Sequence, residues 1–153
     1  MEGPNKAGKT TIAKQIEQDF GFTYFRDRQF NKIKPELIEY VTYFMAISQL
    51  NLLKTLKENI IVDRFHATEW VYGNINRNYS NYKMWDIDRE LAVMNVKLLY
   101  MTDSIENINE RNGKDMSRYC KEFDYFFMLC KIDKLKANLN ENEKIYKWIK
   151  NSL

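Results

Sequence analysis

Residues that bind metals or form disulfides are scarce in this chain. One histidine, His66, and two cysteines, Cys120 and Cys130, occur among its 153 residues. The cysteines do not form a CxxC arrangement and no group of histidines accompanies them, so a structural zinc site and a disulfide framework are disfavoured. We interpret both cysteines as free thiols, which is typical of proteins in a reducing cytosol.

Long apolar runs and a strong excess of one charge are also lacking. No run approaches the roughly 20 residues of a membrane-spanning helix, and Glu2, Pro4 and Asn5 interrupt the apolar core that a signal peptide needs. Lysine and arginine total 24 against 21 aspartate and glutamate, a net charge of +3 with the signs interspersed. This balance suits a small anionic ligand better than nucleic acid, which selects concentrated basic surfaces. We therefore expect a cytoplasmic protein without a membrane or nucleic-acid partner.

Short apolar segments alternate with helical segments along the sequence. β-branched or apolar runs predict strands at 22–25, 60–63, 96–102 and 135–137. The charged segment 26–34 and the Asn-rich segment 73–82 are predicted as loops. Such alternation is typical of a single α/β domain with a parallel sheet. The predicted helices cover 9–19, 35–59, 67–72, 86–95, 104–112, 117–133 and 141–153.

A phosphate-binding loop begins the chain. Gly3, Gly8, Lys9 and Thr10 match the pattern G-x-x-x-x-G-K-[ST] directly before a predicted helix. In this pattern, glycines let backbone N–H groups point at phosphate oxygens, the lysine reaches the β- and γ-phosphates, and the hydroxyl ligates Mg²⁺. A glycine-containing turn that merely precedes a helix is the alternative. The residues predicted to bind ATP are Gly3, Asn5, Lys6, Ala7, Gly8, Lys9, Thr10 and Thr11.

The strand that normally precedes such a loop has little room here, because only Met1 and Glu2 stand before Gly3. Three explanations are open: the natural chain begins upstream of Met1, the sheet closes without the strand, or the chain is a degraded relative. We favour the first, since the motif residues downstream keep their order. The expected fold is a three-layer P-loop NTPase-type sandwich with a parallel sheet, its first strand missing or truncated.

A second motif follows the predicted strand 60–63. Asp63 ends this strand, and Arg64, Phe65, Thr68 and Tyr72 follow in the pattern D-R-F-x-x-T-x-x-x-Y. A phosphoryl-transfer site requires a carboxylate near Mg²⁺, usually at the end of a strand. With this motif and the phosphate loop, the chain resembles the thymidylate kinase family, one of the P-loop nucleoside monophosphate kinases and deoxynucleoside kinases. The resemblance extends from Glu2 to the final helix.

The resemblance implies roles for individual side chains. Asp63 would act near the acceptor and bind Mg²⁺ together with Thr10, while Arg64 would hold the phosphate of the acceptor nucleotide. Tyr72 would crowd the 2′ position of the sugar and favour deoxyribose. Phe44 would stack on the acceptor base, with plain core packing as an equally weighted alternative.

The segment 111–118 is similar to the mobile lid of the family. Arg111 and Arg118 would close over the donor phosphates, where cations are needed as negative charge develops. Lys114 is better explained as a solvated surface residue. The catalytic residues predicted within one domain spanning 1–153 are Lys9, Asp63, Arg64, Arg111 and Arg118.

Several positions depart from the family pattern. Asn5 stands where an Asp is common and Lys6 where some members carry an Arg, yet both side chains can still bind a nucleotide. Ser48 lies near the position of a family arginine on the second helix, and Arg26 would substitute for a reduced family segment. These changes concern the acceptor-base pocket, so the identity of the base stays open.

The sequence therefore predicts an ATP- and Mg²⁺-dependent kinase that phosphorylates a deoxynucleoside monophosphate. A deoxynucleoside kinase is a close alternative, in which Asp63 would serve as base for a 5′-hydroxyl. A non-catalytic nucleotide-binding relative is the alternative outside the enzymes. The expected partners are small nucleotides and, as the resemblance implies, a second copy in a homodimer.

Overall fold

A computed structural model describes residues 1–26, 35–77 and 82–153, and these form seven helices and four strands. The strands lie within one or two residues of their predicted positions. They are β1 (Thr23–Arg26), β2 (Ile60–Asp63), β3 (Lys97–Met101) and β4 (Asp133–Ala137). The helices are α1 (Lys9–Phe20), α2 (Pro35–Thr55), α3 (His66–Asn76), α4 (Met84–Val93), α5 (Ile105–Asn112), α6 (Ser117–Leu129) and α7 (Asn142–Lys150).

Helix α3 is longer than the sequence predicts. It continues to Asn76, so the predicted loop is wrong for residues 73–76. Ile75 packs against the main core cluster, and Arg77 donates to Glu69 at 2.6 Å beside the last turn. These tertiary contacts outweigh the weak helix propensity of the Asn-rich sequence. Arg26, predicted in a loop, is the last residue of β1, whereas Arg77 and Tyr82 lie outside the helices as predicted. The predicted loop residues 27–34 and 78–81 lie outside the described part of the chain.

Two pairs of parallel strands are joined into one sheet by the first residues of the chain. β1 pairs with β2, and β3 pairs with β4. Met1 bonds to β2, donating to Val62 O at 2.7 Å and accepting from Arg64 N at 2.9 Å. Glu2 bonds to β3 on the other side through Leu99 O and Met101 N, both at 2.9 Å. The first strand is therefore present between β2 and β3, but it is truncated.

Helices cover both faces of this sheet. Successive residues of β3 point to opposite faces, as the alternation of a strand requires. Leu98 and Tyr100 belong to one core cluster, with residues of α2, α3, α4 and α6. Leu99 and Met101 belong to a second cluster, with residues of α1 and α7. The result is the predicted three-layer α/β sandwich.

Among the described residues, no helix is both long and apolar enough to cross a membrane. The buried apolar residues of the helices instead form the two core clusters that cover the sheet. His66, the single histidine of the chain, is buried. It lies between the rings of Phe65 and Phe126 and is 3.1 Å from Asp88.

Candidate functional site

The phosphate loop, residues 3–8 between Glu2 and α1, has the tight backbone that its sequence predicts. Gly3 and Gly8 have φ angles of 136° and 86°, values that disfavour any residue with a side chain. A Cβ on Gly3 would lie 2.0 Å from the carbonyl oxygen of Met101, and one on Gly8 would lie 2.2 Å from Leu139. Gly3 is therefore required by the close approach of the β3 backbone, whereas at Gly8 the side chain of Leu139 could move and the positive φ is the stronger reason for glycine. The loop leads directly into α1, whose positive end faces the same region.

Lys9, the first residue of α1, folds back across this loop. Its Nζ donates to the carbonyl oxygens of Gly3 at 2.9 Å and Pro4 at 2.6 Å. The side chain is buried, and burial, with Arg64 nearby, lowers its pKa to about 7. An anion beside this amine would restore its charged form, because an opposite charge favours ionisation.

Asp63 ends β2 directly opposite the start of α1. Its Oδ2 accepts hydrogen bonds from the Thr10 hydroxyl and from the Tyr24 hydroxyl, both at 2.8 Å. The carboxylate is fully buried, and its Oδ1 has no partner among the described residues. Burial and then the bond to Asp63 raise the pKa of Tyr24. Thr10 and Asp63 meet as predicted, whereas Tyr24 was not recognised in the sequence.

Glu2 is a second contributor that the sequence analysis missed. Its buried carboxylate accepts from the backbone N–H groups of Phe65 at 2.7 Å, Ala67 at 3.2 Å and Thr68 at 3.2 Å, and from the Thr68 hydroxyl. These are N–H groups at the start of α3, which lack partners within the helix. Glu2 thereby satisfies the first turn of α3 and fixes the junction that carries Arg64. The motif threonine, Thr68, serves this anchor.

Arg64 lies between the phosphate loop and α3. Its Nη2 donates to Asn5 Oδ1 at 2.7 Å, while its Nε is buried without a partner among the described residues. The φ of Arg64 is 75°, an uncommon value for a residue with a side chain that is found at functional sites. Burial raises the pKa of Tyr72, and the nearby Arg64 opposes this effect. Asn5, Arg64 and Tyr72 thus form one polar cluster.

Arg111, at the end of α5, contacts the outer side of the phosphate loop. Its guanidinium pairs with Asp103 and donates to Lys6 O at 3.0 Å and Asn107 O at 3.1 Å. Lys6 Nζ in turn donates to the carbonyl of Arg111. This places a cation against the loop, and the carboxylate that holds it there, Asp103, was not predicted as a site residue.

The other predicted cation and the predicted stacking residue are exposed. Arg118 stands on the first turn of α6, after a short turn that is anchored by the buried Met116. Phe44, on α2, is 69% exposed, so its side chain is not packed into the core. The core-packing alternative for Phe44 is therefore wrong, while its stacking role stays a prediction. Thr11 is also exposed, on α1 next to Thr10.

The oxygen atoms around Asp63 fit a magnesium ion. Mg²⁺ prefers oxygen ligands and typically takes only one or two from the protein, with water and substrate phosphates completing its shell. Thr10 Oγ1, Asp63 Oδ2 and the unpartnered Asp63 Oδ1 offer such ligands. Groups of three or more His, Cys, Asp or Glu side chains suited to a metal do not occur within residues 1–26, 35–77 and 82–153. The site thus suits a metal that arrives with a phosphate ligand.

Comparison with known proteins bears on the fold. No family model and no curated protein sequence matches the chain. Among solved structures, the YorR protein of Bacillus subtilis, in complex with phosphorylated GDP, is similar with a TM-score of 0.75 at 18% identity, covering 98% of this chain and 91% of its own. Deoxyadenosine kinase from M. mycoides, with the products dCMP and dCDP, gives a TM-score of 0.58 at 18% identity over 98% of this chain and 94% of its own. The chain shares the fold of these two proteins.

In this fold the site lies at one edge of the sheet. The strands β1, β2 and β3 end at Arg26, Asp63 and Met101, and the phosphate loop leaves the truncated strand at the same edge. Ligands of open α/β sheets bind outside the carboxyl ends of the strands.

The same deoxyadenosine kinase with bound dCTP has a TM-score of 0.57 at 18% identity over 99% of this chain and 97% of its own.

Proposed function

We propose that this chain is a kinase that transfers the γ-phosphoryl group of ATP to a deoxynucleoside monophosphate. One observation carries the proposal: the phosphate loop touches the strand-end acid and arginine directly. Thr10 bonds to Asp63 at 2.8 Å, and Asn5 bonds to Arg64 at 2.7 Å. A donor held by the loop and an acceptor held by Asp63 and Arg64 would therefore meet, which is most of what phosphoryl transfer requires.

On the donor side, Lys9 and Arg111 supply positive charge. Phosphate oxygens would replace the carbonyl oxygens that now accept from Lys9 Nζ. The backbone N–H groups of the loop and the start of α1 would hold the same phosphates. Mg²⁺ on Thr10 and Asp63 would neutralise developing negative charge when it is bound. The acceptor oxygen forms a bond to the γ-phosphorus while the bond to the bridging oxygen breaks and ADP leaves.

On the acceptor side, Arg64 favours a phosphorylated substrate. Its buried Nε lacks a partner among the described residues, and a buried donor left unpaired is costly. An acceptor phosphate would satisfy this group and balance the charge of the guanidinium. Tyr72 lies beside Arg64, where its ring would limit the room around the sugar.

A deoxynucleoside kinase is the second candidate. The unpartnered Oδ1 of the buried Asp63 could accept the proton of a 5′-hydroxyl, as a general base must. The structural similarity to deoxyadenosine kinase over nearly the whole length of both chains is in line with this alternative.

A panel of deoxynucleosides and their monophosphates, with ATP and Mg²⁺ in a coupled ADP assay, separates the candidates. We expect turnover of a monophosphate, beginning with thymidylate, and its loss in Lys9→Ala. Lys14→Ala is the matched control, because Lys14 is an exposed lysine of the same helix. Turnover of nucleosides alone would support the second candidate. ATP binding without turnover of any acceptor would contradict both and favour a non-catalytic nucleotide-binding protein.

A further inference from the structure

The carboxyl end of α5 bonds to two consecutive carbonyl groups of the phosphate loop. Asn112, the last residue of α5, donates from Nδ2 to the carbonyl oxygen of Asn5 at 3.0 Å. Arg111 donates from Nη1 to the carbonyl oxygen of Lys6, also at 3.0 Å. Lys6 Nζ returns a bond to the carbonyl of Arg111, one of the carbonyls at a helix end that need a partner from outside the helix. Two neighbouring peptide groups of the loop are therefore tied to one helix end.

The side-chain amide of Asn112 is compatible with only one orientation. Its nitrogen lies 3.0 Å from Asn5 O and 2.8 Å from Ile108 O, and both of these atoms are acceptors. Only the NH₂ group of an amide donates, and it carries two hydrogens. One hydrogen therefore reaches the loop while the other reaches back into α5. Because Ile108 is fully buried, this second bond joins Asn112 to a firmly packed part of the helix.

The backbone of the loop at Lys6 is left-handed. Lys6 has a φ of 57°, which is uncommon for a residue with a side chain. A left-handed residue in a turn brings successive backbone N–H groups to one side, where they form a concave site for an anion. In each trans peptide the C=O and N–H groups point in opposite directions. Since α5 holds the carbonyls of Asn5 and Lys6, the N–H groups of Lys6 and Ala7 point away from α5.

The N–H of Ala7 shows where this side of the loop faces. It donates to the carbonyl oxygen of Pro4 at 3.4 Å, and the same oxygen accepts from Lys9 Nζ at 2.6 Å. A donor–acceptor distance of 3.4 Å is long for an N–H···O bond, so a phosphate oxygen would be a better partner for this N–H group. The N–H groups that point away from α5 thus lie on the same side as the amine of Lys9.

Helix α5 ends directly after Asn112. Gly113 has a φ of 67°, and its N–H closes the helix on the carbonyl of Asn109 at 2.9 Å. The predicted lid segment leaves the helix at this glycine. The side chain that holds the Asn5 carbonyl therefore belongs to α5 and not to the segment that follows it.

We propose that Asn112 is a positioning residue for the phosphate donor. By holding the carbonyl of Asn5, it keeps the N–H of Lys6 aimed at a phosphate of a nucleoside diphosphate or triphosphate. This role rests on the proposed function, since it requires the loop to hold the donor. Arg111 orients the next peptide in the same way, but its charge also acts on phosphates directly. Asn112 is uncharged, so changing it alters the aim of the N–H group without altering the charge of the site.

Three variants test this role with ADP and Mg²⁺ as the probe. Asn112→Leu removes the donor from a side chain of similar shape, and Asn112→Gln keeps an amide on a longer side chain. Asn151→Leu is the matched control, because it makes the same substitution at the exposed end of α7. Calorimetry should show that Asn112→Leu binds ADP roughly tenfold more weakly than the parent chain. Asn112→Gln should lose less affinity, and Asn151→Leu should bind as the parent does.

Amide hydrogen exchange at saturating ADP separates positioning from a general loss of stability. In the parent chain, ADP should slow the exchange of the Lys6 amide. In Asn112→Leu this slowing should be roughly tenfold smaller. The amide of Thr10, in the first turn of α1, is the internal reference and should be slowed equally in both forms. The thermal midpoint of each variant is measured without ADP.

Equal ADP affinity and equal slowing at Lys6 in the parent and Asn112→Leu would overturn the positioning role and leave the proposed kinase standing. Weaker binding with a lower thermal midpoint and equal losses at Lys6 and Thr10 would show a general structural role and would also overturn it. Failure of the parent chain to bind ADP would overturn both proposals. The expected results for Asn112→Leu, in a parent chain that turns over no acceptor, would support the role of Asn112 and refute the kinase.

Discussion

Lys9 should take up a proton when the chain binds a triphosphate. Burial is the main cause that lowers its pKa to about 7, with Arg64 adding to the effect and Asp63 and Glu2 opposing it. A triphosphate against Nζ would favour the charged amine and return its pKa toward the ordinary value of 10.5. Nucleotide binding should therefore be coupled to the protonation of Lys9, and this coupling can be measured.

The size of the coupling follows from the two pKa values. At pH 8 an amine with a pKa of about 7 is only about one-tenth protonated, so binding takes up roughly 0.9 proton. At pH 6 the amine is already about nine-tenths protonated, and the uptake falls to roughly 0.1 proton. ATP affinity should decline with rising pH above the lower pKa, because each proton must then be taken from solvent.

Isothermal titration calorimetry with a non-hydrolysable ATP analogue measures this uptake. The binding enthalpy is recorded in two buffers of different ionisation enthalpy at pH 6 and pH 8, and the slope gives the number of protons. Lys9→Arg is the matched control, because a guanidinium stays charged throughout this range. Subtracting the proton uptake of Lys9→Arg from that of the parent chain removes the protons gained or lost by the nucleotide itself.

The parent chain should exceed Lys9→Arg by roughly 0.9 proton at pH 8 and by little at pH 6. Equal uptake at pH 8 would show that Lys9 is already charged before the nucleotide binds, and the reasoning about its burial would be wrong. Binding by the parent with no pH dependence would refute it equally, even if Lys9→Arg bound the analogue too weakly to compare.

Three further predictions concern stability and positioning. Because folding lowers the pKa of Lys9, this residue binds more protons in the unfolded chain between about pH 7 and 10.5. Its contribution to the free energy of unfolding should therefore rise with pH across this window, and the slope in urea titrations should be smaller in Lys9→Met than in the parent chain. Tyr24→Phe should reduce kcat/KM roughly tenfold, because it releases the carboxylate of Asp63. Tyr146→Phe is the control, because it removes a hydroxyl bonded to a surface carboxylate and should leave activity unchanged. Equal losses in the two variants would contradict the positioning role of Tyr24. Gly3→Ala should destabilise the fold by roughly 3 kcal/mol or more, whereas Gly21→Ala, where a Cβ meets no atom within 4 Å, should cost only about 1 kcal/mol in the same measurement.

The predictable parts of the site are those encoded by neighbouring residues. The phosphate loop requires its glycines, Lys9 and Thr10 at fixed spacings, because all of them belong to one short loop and the first turn of the helix that follows it. Asp63 and Arg64 could be found because they follow a short apolar strand directly. The structure brings both motifs together, with Thr10 on Asp63 and Asn5 on Arg64.

The contributors that the sequence did not reveal act across long separations. Tyr24 reaches Asp63 from a neighbouring strand, and its hydroxyl is indistinguishable in the sequence from that of any strand tyrosine. Glu2 reaches α3 over more than sixty residues. Asp103 is the exception, because it holds Arg111 from only eight residues away, at the other end of α5. No local pattern carries the contacts of Tyr24 and Glu2, because each depends on which segments lie side by side.

The sequence by itself determined the α/β class, the strand positions and the phosphate loop, since hydrophobic periodicity and turn geometry are properties of consecutive residues. Only the tertiary structure decided that Met1 and Glu2 lie between β2 and β3 and that Lys9 is buried among carbonyl groups. Burial and strand order arise when distant segments pack together, so they set the charge of Lys9 and the partners of Asp63 only in the folded chain.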